Sequence, residues 1–310
     1  MTNDNKTEYE LFRHGIFPLI AVMMTAGWTG CSTAPPRPAD WTAWQSRRVE
    51  SIGGTNGWTT LVGLNWLQEG DNSAGAASSN QVVLHGDGMP EFVGSFYRHG
   101  QTVSFTADSN VDVRIDGQRI AKSELQTDDL PNPTRLQFGS VSVIAIHRGD
   151  RIGLRVRDPD SDARRHFPGL RWFAYDPHWR VAGHFVPFPQ ERQLRVPDVT
   201  GNTQEMMSPG SIFFDVNGAE YRLDAVQEKG EPGLFIMFHD ETAGDSTYAA
   251  GRFLDVPKPD SAGRTVMDFN RAYTPPCGFT AFATCPIPPK QNWLPLAVRA
   301  GELKPNGGDH

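Results

Sequence analysis

The residue types best suited to chemistry gather late in the chain. Asp240, Thr242, Tyr248, Arg252, Asp268, Asn270, Arg271 and Tyr273 all fall within residues 240–273. A carboxylate, an amide and a guanidinium converging among aromatic rings could orient a polar ligand. Arginine would take a carboxylate or phosphate through two parallel N–H donors. Tyr248 and Arg252 lie four positions apart on an expected strand and would face the same side of it. The same residues also suit a buried Arg–Asp pair, Arg252 with Asp268, that holds the proline-rich loop after them against a sheet, and that architectural reading is the one we prefer. An earlier cluster contains Arg164, Arg165, His166, Asp176, His178 and His184. Arg165 and His166 could bind a ligand, and a histidine there could move a proton. Each of these histidines adjoins Phe, Trp or Pro, which suits packing better.

Signatures that announce a reaction are missing. The chain has no GxSxG elbow, SxxK, CxxC, HExxH or Walker loop, and no GxGxxG opens a helix after a strand. Neither a cofactor nor a metal is expected. Whether the chain is an enzyme stays open, because paired carboxylates leave little trace in one sequence. The net charge of −7 is spread without long single-sign blocks. It offers no basic face for phosphates, so a nucleic-acid partner is not expected.

The elements that would position these residues are mostly strands. Gly (31) and Pro (24) recur at short intervals and break the 310-residue chain into short β-prone runs. One short helix fits Trp41–Gly53. Strands are expected at Thr59–Leu64, Gln81–Leu84, Glu91–Tyr97, Thr102–Thr106, Val111–Ile115, Thr134–Phe138, Val141–His147 and Ile152–Arg157. Val111, Val113 and Ile115 alternate with polar residues and lead into Asp116-Gly117, a hairpin signal. Such a run of short strands predicts a mainly β fold beginning with a short-stranded β-sandwich. Residues 158–197 read as a crossing segment with a strand near Trp179–Val186. A second β unit follows, with strands at Ser211–Val216, Ala219–Val226, Leu234–His239, Thr247–Leu254 and Thr265–Asp268, and it ends in a Pro- and aromatic-rich loop.

The first forty residues look like an export address. An apolar run from Ile16 to Ala26 follows a polar start, too short to span a bilayer but suited to the h-region of a signal peptide. Trp28-Thr29-Gly30-Cys31 then resembles a lipobox, with Trp28 where an aliphatic residue is usual. The expected organisation is a signal peptide over 1–30, lipidation at Cys31, a tether over 31–40, a helix and sandwich over 41–157, and the second unit over 158–310. The localisation implied is the bacterial cell envelope, with a lipid anchor holding the protein to a membrane. Two cysteines remain, Cys277 and Cys285. An oxidising compartment would favour a disulfide between them; a pair of buried free thiols is the alternative.

The run DFNRAYTPPCGFTAFATCPIPPKQNWLPLAVRAGE (268–302), with TYAAGRFL (247–254), RHFPGLRWF (165–173) and GLNWL (63–67), resembles a bacterial family of uncharacterised proteins, domain-of-unknown-function family 1684. The resemblance implies one family architecture over residues 40–303 and brings no activity with it. Residues 61–157 are similar in outline to a forkhead-associated sandwich, without an Arg and Ser that could grip phosphothreonine. The function expected is therefore an exported, lipid-anchored β module that binds an envelope glycan or peptide, or that scaffolds. The alternative is a small hydrolase or lyase, with acid and base drawn from Asp240, Asp268 or His166 and an anion clamp from Arg252 or Arg271.

Overall fold

The computed structural model describes residues 37–228 and 230–306, so the expected signal peptide, Cys31 and most of the tether lie outside the described residues. The first element is helix α1 (Trp41–Gly53), over the residues expected. It buries Trp41 and Ile52. Trp41 stacks on Trp44 at 5.2 Å and meets Tyr175 edge-on at 5.2 Å.

Short strands then follow in quick succession: β1 (Leu61–Trp66), β2 (Gly70–Gly75), β3 (Val82–Val83), β4 (Gly94–His99), β5 (Thr102–Ala107), β6 (Arg114–Ile115), β7 (Gln118–Arg119), β8 (Lys122–Leu125), β9 (Arg135–Phe138), β10 (Val141–Arg148) and β11 (Arg151–Arg157). They form a six-stranded sheet ordered β1-β11-β10-β9-β6-β7 and a five-stranded sheet ordered β3-β2-β4-β5-β8. Both sheets contribute to one core: Val143, Leu154 and Val156 from the first, Phe96, Val103 and Phe105 from the second. Phe105 packs against Phe96 at 4.7 Å and edge-on against Phe138 at 5.8 Å. The expected sandwich is what forms. The hairpin from β6 to β7 turns at Asp116 (φ 50°) and Gly117 (φ 78°), the two positive angles that the tightest hairpin turn requires.

Two strands were not legible. β2 has the sequence GDNSAG, which reads as a turn. It is held extended by pairing with β4 and by Asn72, 1% exposed. The Asn72 side chain accepts from Gln68 N–H at 2.9 Å and donates to the Gln68 and Gly70 carbonyls, both at 2.9 Å. β8 is a short partner of β5. Conversely, of the run Val111–Ile115 only its last two residues form a strand.

The second unit comprises β12 (Arg180–Pro197), β13 (Thr203–Val216), β14 (Ala219–Ala225), β15 (Leu234–Phe238), β16 (Arg252–Val256) and β17 (Arg264–Asp268). A four-stranded sheet runs β14-β13-β12-β17, and β15 pairs with β16. A bridge between Val226 and Phe235 continues β14 into β15 and curls the assembly around Phe214, Leu223, Ile236, Phe238, Leu254, Met267 and Phe269. The strand expected near Trp179–Val186 continues to Pro197, with a register shift between Pro187 and Arg192 that accommodates the prolines. The strand expected over Thr247–Leu254 begins only at Arg252. Residues before it turn, held by Thr247 and Gly251 amides bonded to the Thr242 and Tyr248 carbonyls. Tyr248 and Arg252 therefore do not share a strand face.

The chain after β17 runs back over this unit as a strap. Arg252, 0% exposed, lies beneath it. Its Nη2 donates to Asp240 Oδ1 at 3.1 Å and to the Val298 carbonyl at 2.9 Å, and its Nη1 donates to the Ala300 carbonyl. Asp240 Oδ2 accepts from the Val298 N–H at 2.8 Å and from the Thr242 hydroxyl at 2.8 Å. Burial pushes the Arg252 pKa down and Asp240 opposes that push. A buried Arg–Asp pair thus exists, but it joins Arg252 to Asp240 and not to Asp268, the partner expected from sequence, which bonds Asn270 and lies beside Arg271 instead. Asn292 pins the strap elsewhere: it accepts from Asp224 N–H at 2.8 Å and donates to the Asp224 and Met237 carbonyls at 2.9 and 2.8 Å.

Removing one member of a buried ion pair strands the other, at a cost of about 3–5 kcal/mol. Arg252→Met is expected to lower unfolding stability by about that amount in a urea titration. A loss under about 1 kcal/mol would show that the clamp does not hold the strap.

Candidate functional site

The residues singled out from sequence divide among several places. Asp240, Thr242 and Arg252 are sealed under the strap, with no opening to a ligand. Asp268, Asn270 and Arg271 organise the turn after β17. Asn270 donates from its backbone and side-chain nitrogens to Asp268 Oδ1 at 3.2 and 3.0 Å, and exchanges two hydrogen bonds with the Asp176 backbone. Arg271 bonds Asp40 at 2.6 Å and lies 3.5 Å from Asp268, tying α1 to this turn. Tyr248, 7% exposed, donates to the Cys277 carbonyl at 3.3 Å. Arg165 and His166 sit on the exposed helix α2 (Asp162–Arg165) and its end. Arg165 pairs with Asp162 at 2.6 Å, and His166 Nδ1 lies 3.0 Å from the Asp162 carbonyl. His178 and His184 are exposed elsewhere. Tyr273 alone of the proposed ligand-binding residues faces a cavity.

That cavity is a cleft of about 800 Å³ where α1, the sandwich and the second β unit meet. Strand β11 contributes Arg155 to its lining. Ile152, Leu154 and Val156 point into the sandwich core, so strand alternation turns Arg151, Arg155 and Arg157 to the opposite face. Two of these arginines have evident partners. Arg151 covers the Trp66 ring at 3.9 Å and donates to Asn202 at 2.9 Å. Arg157 donates to the Asn56 and Gly57 carbonyls at 2.9 and 2.8 Å.

Arg155 is different. It is 6% exposed, its Nε has no hydrogen-bond partner, and its one bond is a long 3.4 Å contact from Nη2 to the Thr284 hydroxyl. Among the described residues no carboxylate lies within ion-pairing distance of it. Its guanidinium sits 5.5 Å from the Trp58 ring centroid. Burial, then the neighbouring Arg148 and Arg157, lower its pKa to about 10. It is therefore still a cation at neutral pH. The adjacent Arg148 is already satisfied by a two-pronged bond to Asp128 at 2.8 and 2.7 Å, with its Nε donating to Thr284 Oγ1 at 3.1 Å.

The opposite wall is acidic and aromatic. Tyr273 donates to Asp255 Oδ1 at 3.3 Å, and Phe235 meets Phe253 at 4.8 Å. Asp255 opens into the cleft, yet the surrounding walls strip enough water to push its carboxyl above the usual range. Glu228, at the cleft edge, is raised by desolvation and then by the charges of Asp255 and Glu231. Arg48 lowers Asp255 somewhat, but its own charge is held by Glu302 at 2.6 Å and by the Thr274 carbonyl. Burial and the nearby Asp255 push the Tyr273 phenol far up, so it stays a proton donor.

Cys285 lines the cleft with Cys277 behind it. The disulfide expected between them is not formed: both are buried free thiols. The Cys277 N–H donates to Cys285 Sγ at 3.2 Å. The thiols hydrogen-bond each other, and that contact, with burial, pushes the Cys285 pKa up, so the proton stays on Cys285. Among the described residues no group of His, Cys, Asp and Glu is arranged to hold a metal ion.

Sequence reasoning missed Arg155, Asp255, Glu228, Trp58 and Thr284. One signal was available. In RIGLRVR an arginine recurs inside an otherwise apolar strand, and a charge in a central strand has to face something other than the core. The remaining residues gather from distant parts of the chain and carry no local pattern.

Comparison with known proteins gives a family and no activity. Residues 165–303 match the model of a family described as "Protein of unknown function (DUF1684)". That span is shorter than the 40–303 implied by resemblance and leaves out the sandwich. Among solved structures, the chain is similar to the solution NMR structure of an uncharacterized protein from gene locus rrnAC0354 of Haloarcula marismortui. The two are 30% identical, with a TM-score of 0.40 over 47% of this chain and 82% of that one. No curated protein matches. Residues 165–303, with the loop residues 268–302 inside them, belong to the uncharacterised DUF1684 family.

Proposed function

We propose that this protein is a lipid-anchored binding module of the cell envelope whose cleft takes a small anionic ligand on Arg155. The observation that carries the proposal is the unpaired guanidinium. A buried charge without a partner is destabilising, and chains keep one where something else supplies the counter-charge. Arg155 is preorganised for this: Trp58 limits its motion on one side, and Thr284 accepts from it on the other. A carboxylate or phosphate could take two parallel bonds from its free donors. The cleft volume falls within the range of small-molecule sites, and its aromatic walls would cover the apolar part of a ligand.

The envelope location rests on the apolar run Ile16–Ala26 and on Cys31. A hydrolase or lyase reading draws on a different observation, the two carboxylates Asp255 and Glu228 with raised pKa in the same cleft. It would use them as acid and base in place of the sealed Asp240.

Binding is tested by thermal denaturation of the mature chain with inorganic phosphate, succinate and a sodium chloride control at neutral pH. At least one of the two anions is expected to raise Tm beyond the chloride control. Arg155→Met should abolish that shift while melting at least as high as the parent, because it removes an uncompensated buried charge at similar volume. Equal shifts in parent and variant would end the assignment of Arg155. For the anchor, the mass of protein purified from its native membrane should equal residues 31–310 plus acyl chains. Cys31→Ser should release the protein into the soluble fraction. An unprocessed, unacylated parent would remove the anchor from the proposal.

A further inference from the structure

The cleft is polarised. Arg155, which has no counter-ion among the described residues, lines the same cleft as Asp255 and Glu228. Among the described residues neither acid has an ion-pair partner. The nearest cation that acts on Asp255, Arg48, is committed to Glu302. Both side chains are exposed to the cleft, and the charge of Asp255 raises the pKa of Glu228. A cation placed between them would relieve that repulsion. Among the described residues the cleft thus holds a buried guanidinium without an anion and two carboxylates without a cation, which together suit one molecule that carries both charges.

We infer that the ligand is a short peptide with free ends, bound with its C-terminal carboxylate on Arg155 and its N-terminal ammonium between Asp255 and Glu228. This rests on the anion-binding reading of Arg155. The remaining lining fits the same chemistry. Phe235, Phe253 and Trp58 offer apolar surface for side chains, and the Thr284 hydroxyl lies beside the carboxylate end. About 800 Å³ is more room than a single amino acid fills, and small enough to register the ends of a short chain. A charge at each end fixes the direction of the bound peptide. It also selects against peptides with blocked or internal termini, because each would leave Arg155 or the two carboxylates without the counter-charge that a free end supplies.

The test is calorimetric titration of the mature protein with alanine-rich peptides of two, three and four residues that contain one phenylalanine. The best-binding length is then repeated as its N-acetyl form and as its C-terminal amide. The expected result is binding of at least one free peptide, with each blocked form weaker by at least about tenfold. The double variant Asp255→Asn, Glu228→Gln should weaken the free peptide by a similar factor and leave the N-acetyl form unchanged. In that variant an amide oxygen can still accept from Tyr273, and an unchanged Tm would confirm its fold.

If the N-acetyl form binds as tightly as the free peptide and Arg155→Met still abolishes binding, the ammonium site is wrong and the anion site stands. If phosphate or succinate binds and no peptide of any length does, the peptide inference fails and the anion reading again survives. If the C-terminal amide binds as tightly as the free peptide, Arg155 does not take the peptide carboxylate and the peptide inference falls, while the anion reading stands or falls on the phosphate and succinate shifts.

Discussion

Arg252 has no access to water, so the partners of its guanidinium have to come from within the protein. Asp240 and the carbonyls of Val298 and Ala300 take its two terminal nitrogens, its Nε being left without a partner, and the two carbonyls belong to the strap that closes the second β unit. The strap is therefore tied in place by the demand of one buried cation. Its next residues carry a second tie: Glu302 accepts from the Thr274 N–H at 2.9 Å and from Arg48 on α1. Arg48, so fixed, stands against the Tyr273 ring at 4.7 Å and forms part of the cleft wall. The position of that wall follows from a chain of buried charges that begins at Arg252.

Two buried arginines in this protein have opposite surroundings, and the contrast separates architecture from site. Arg252 has acceptors on both terminal nitrogens and carries its own carboxylate, although its Nε, like that of Arg155, has no partner. Arg155 has a hydroxyl at long range and two neighbouring cations, Arg148 and Arg157, that make its charge more costly, offset in part by the Asp128 carboxylate that Arg148 already holds. Desolvation acts on both. The difference lies in what the fold supplies to offset it. Where the fold supplies partners, the group holds the structure together. Where it withholds them in a cleft, the group is available to a ligand.

The cleft exists because the second unit does not seal against the sandwich. Strand β11 is buried on both sides, by the sandwich core on one and by the second unit on the other, yet its outward face carries arginines and not aliphatic residues. A face of that kind cannot close as a dry interface without leaving charges unpaired. It is instead bridged at its margins, by Arg148 to Thr284 and by Arg151 to Asn202, with the cleft open beside Arg155.

Much of the architecture was legible from local pattern. The helix Trp41–Gly53, the Asp116-Gly117 turn and most strand positions follow from periodicity and turn chemistry, because these depend on residues close in sequence. The misread pieces are those where pairing overrode local preference. GDNSAG became a strand because Asn72 and β4 hold it extended, and residues 247–251 turned because Thr242 and Thr247 bond across them. The polar cluster 240–273 was visible as residue types, and its preferred role as a buried Arg–Asp tie was readable too. What sequence could not decide was the partner, Asp240, and which polar residues face a cavity. The cleft draws on α1, β11, Glu228, Asp255, Tyr273 and Thr284, segments far apart in the chain. Desolvation and charge pairing act through space, so only the tertiary structure could show that Arg252 has a carboxylate partner and that Arg155 has none among the described residues.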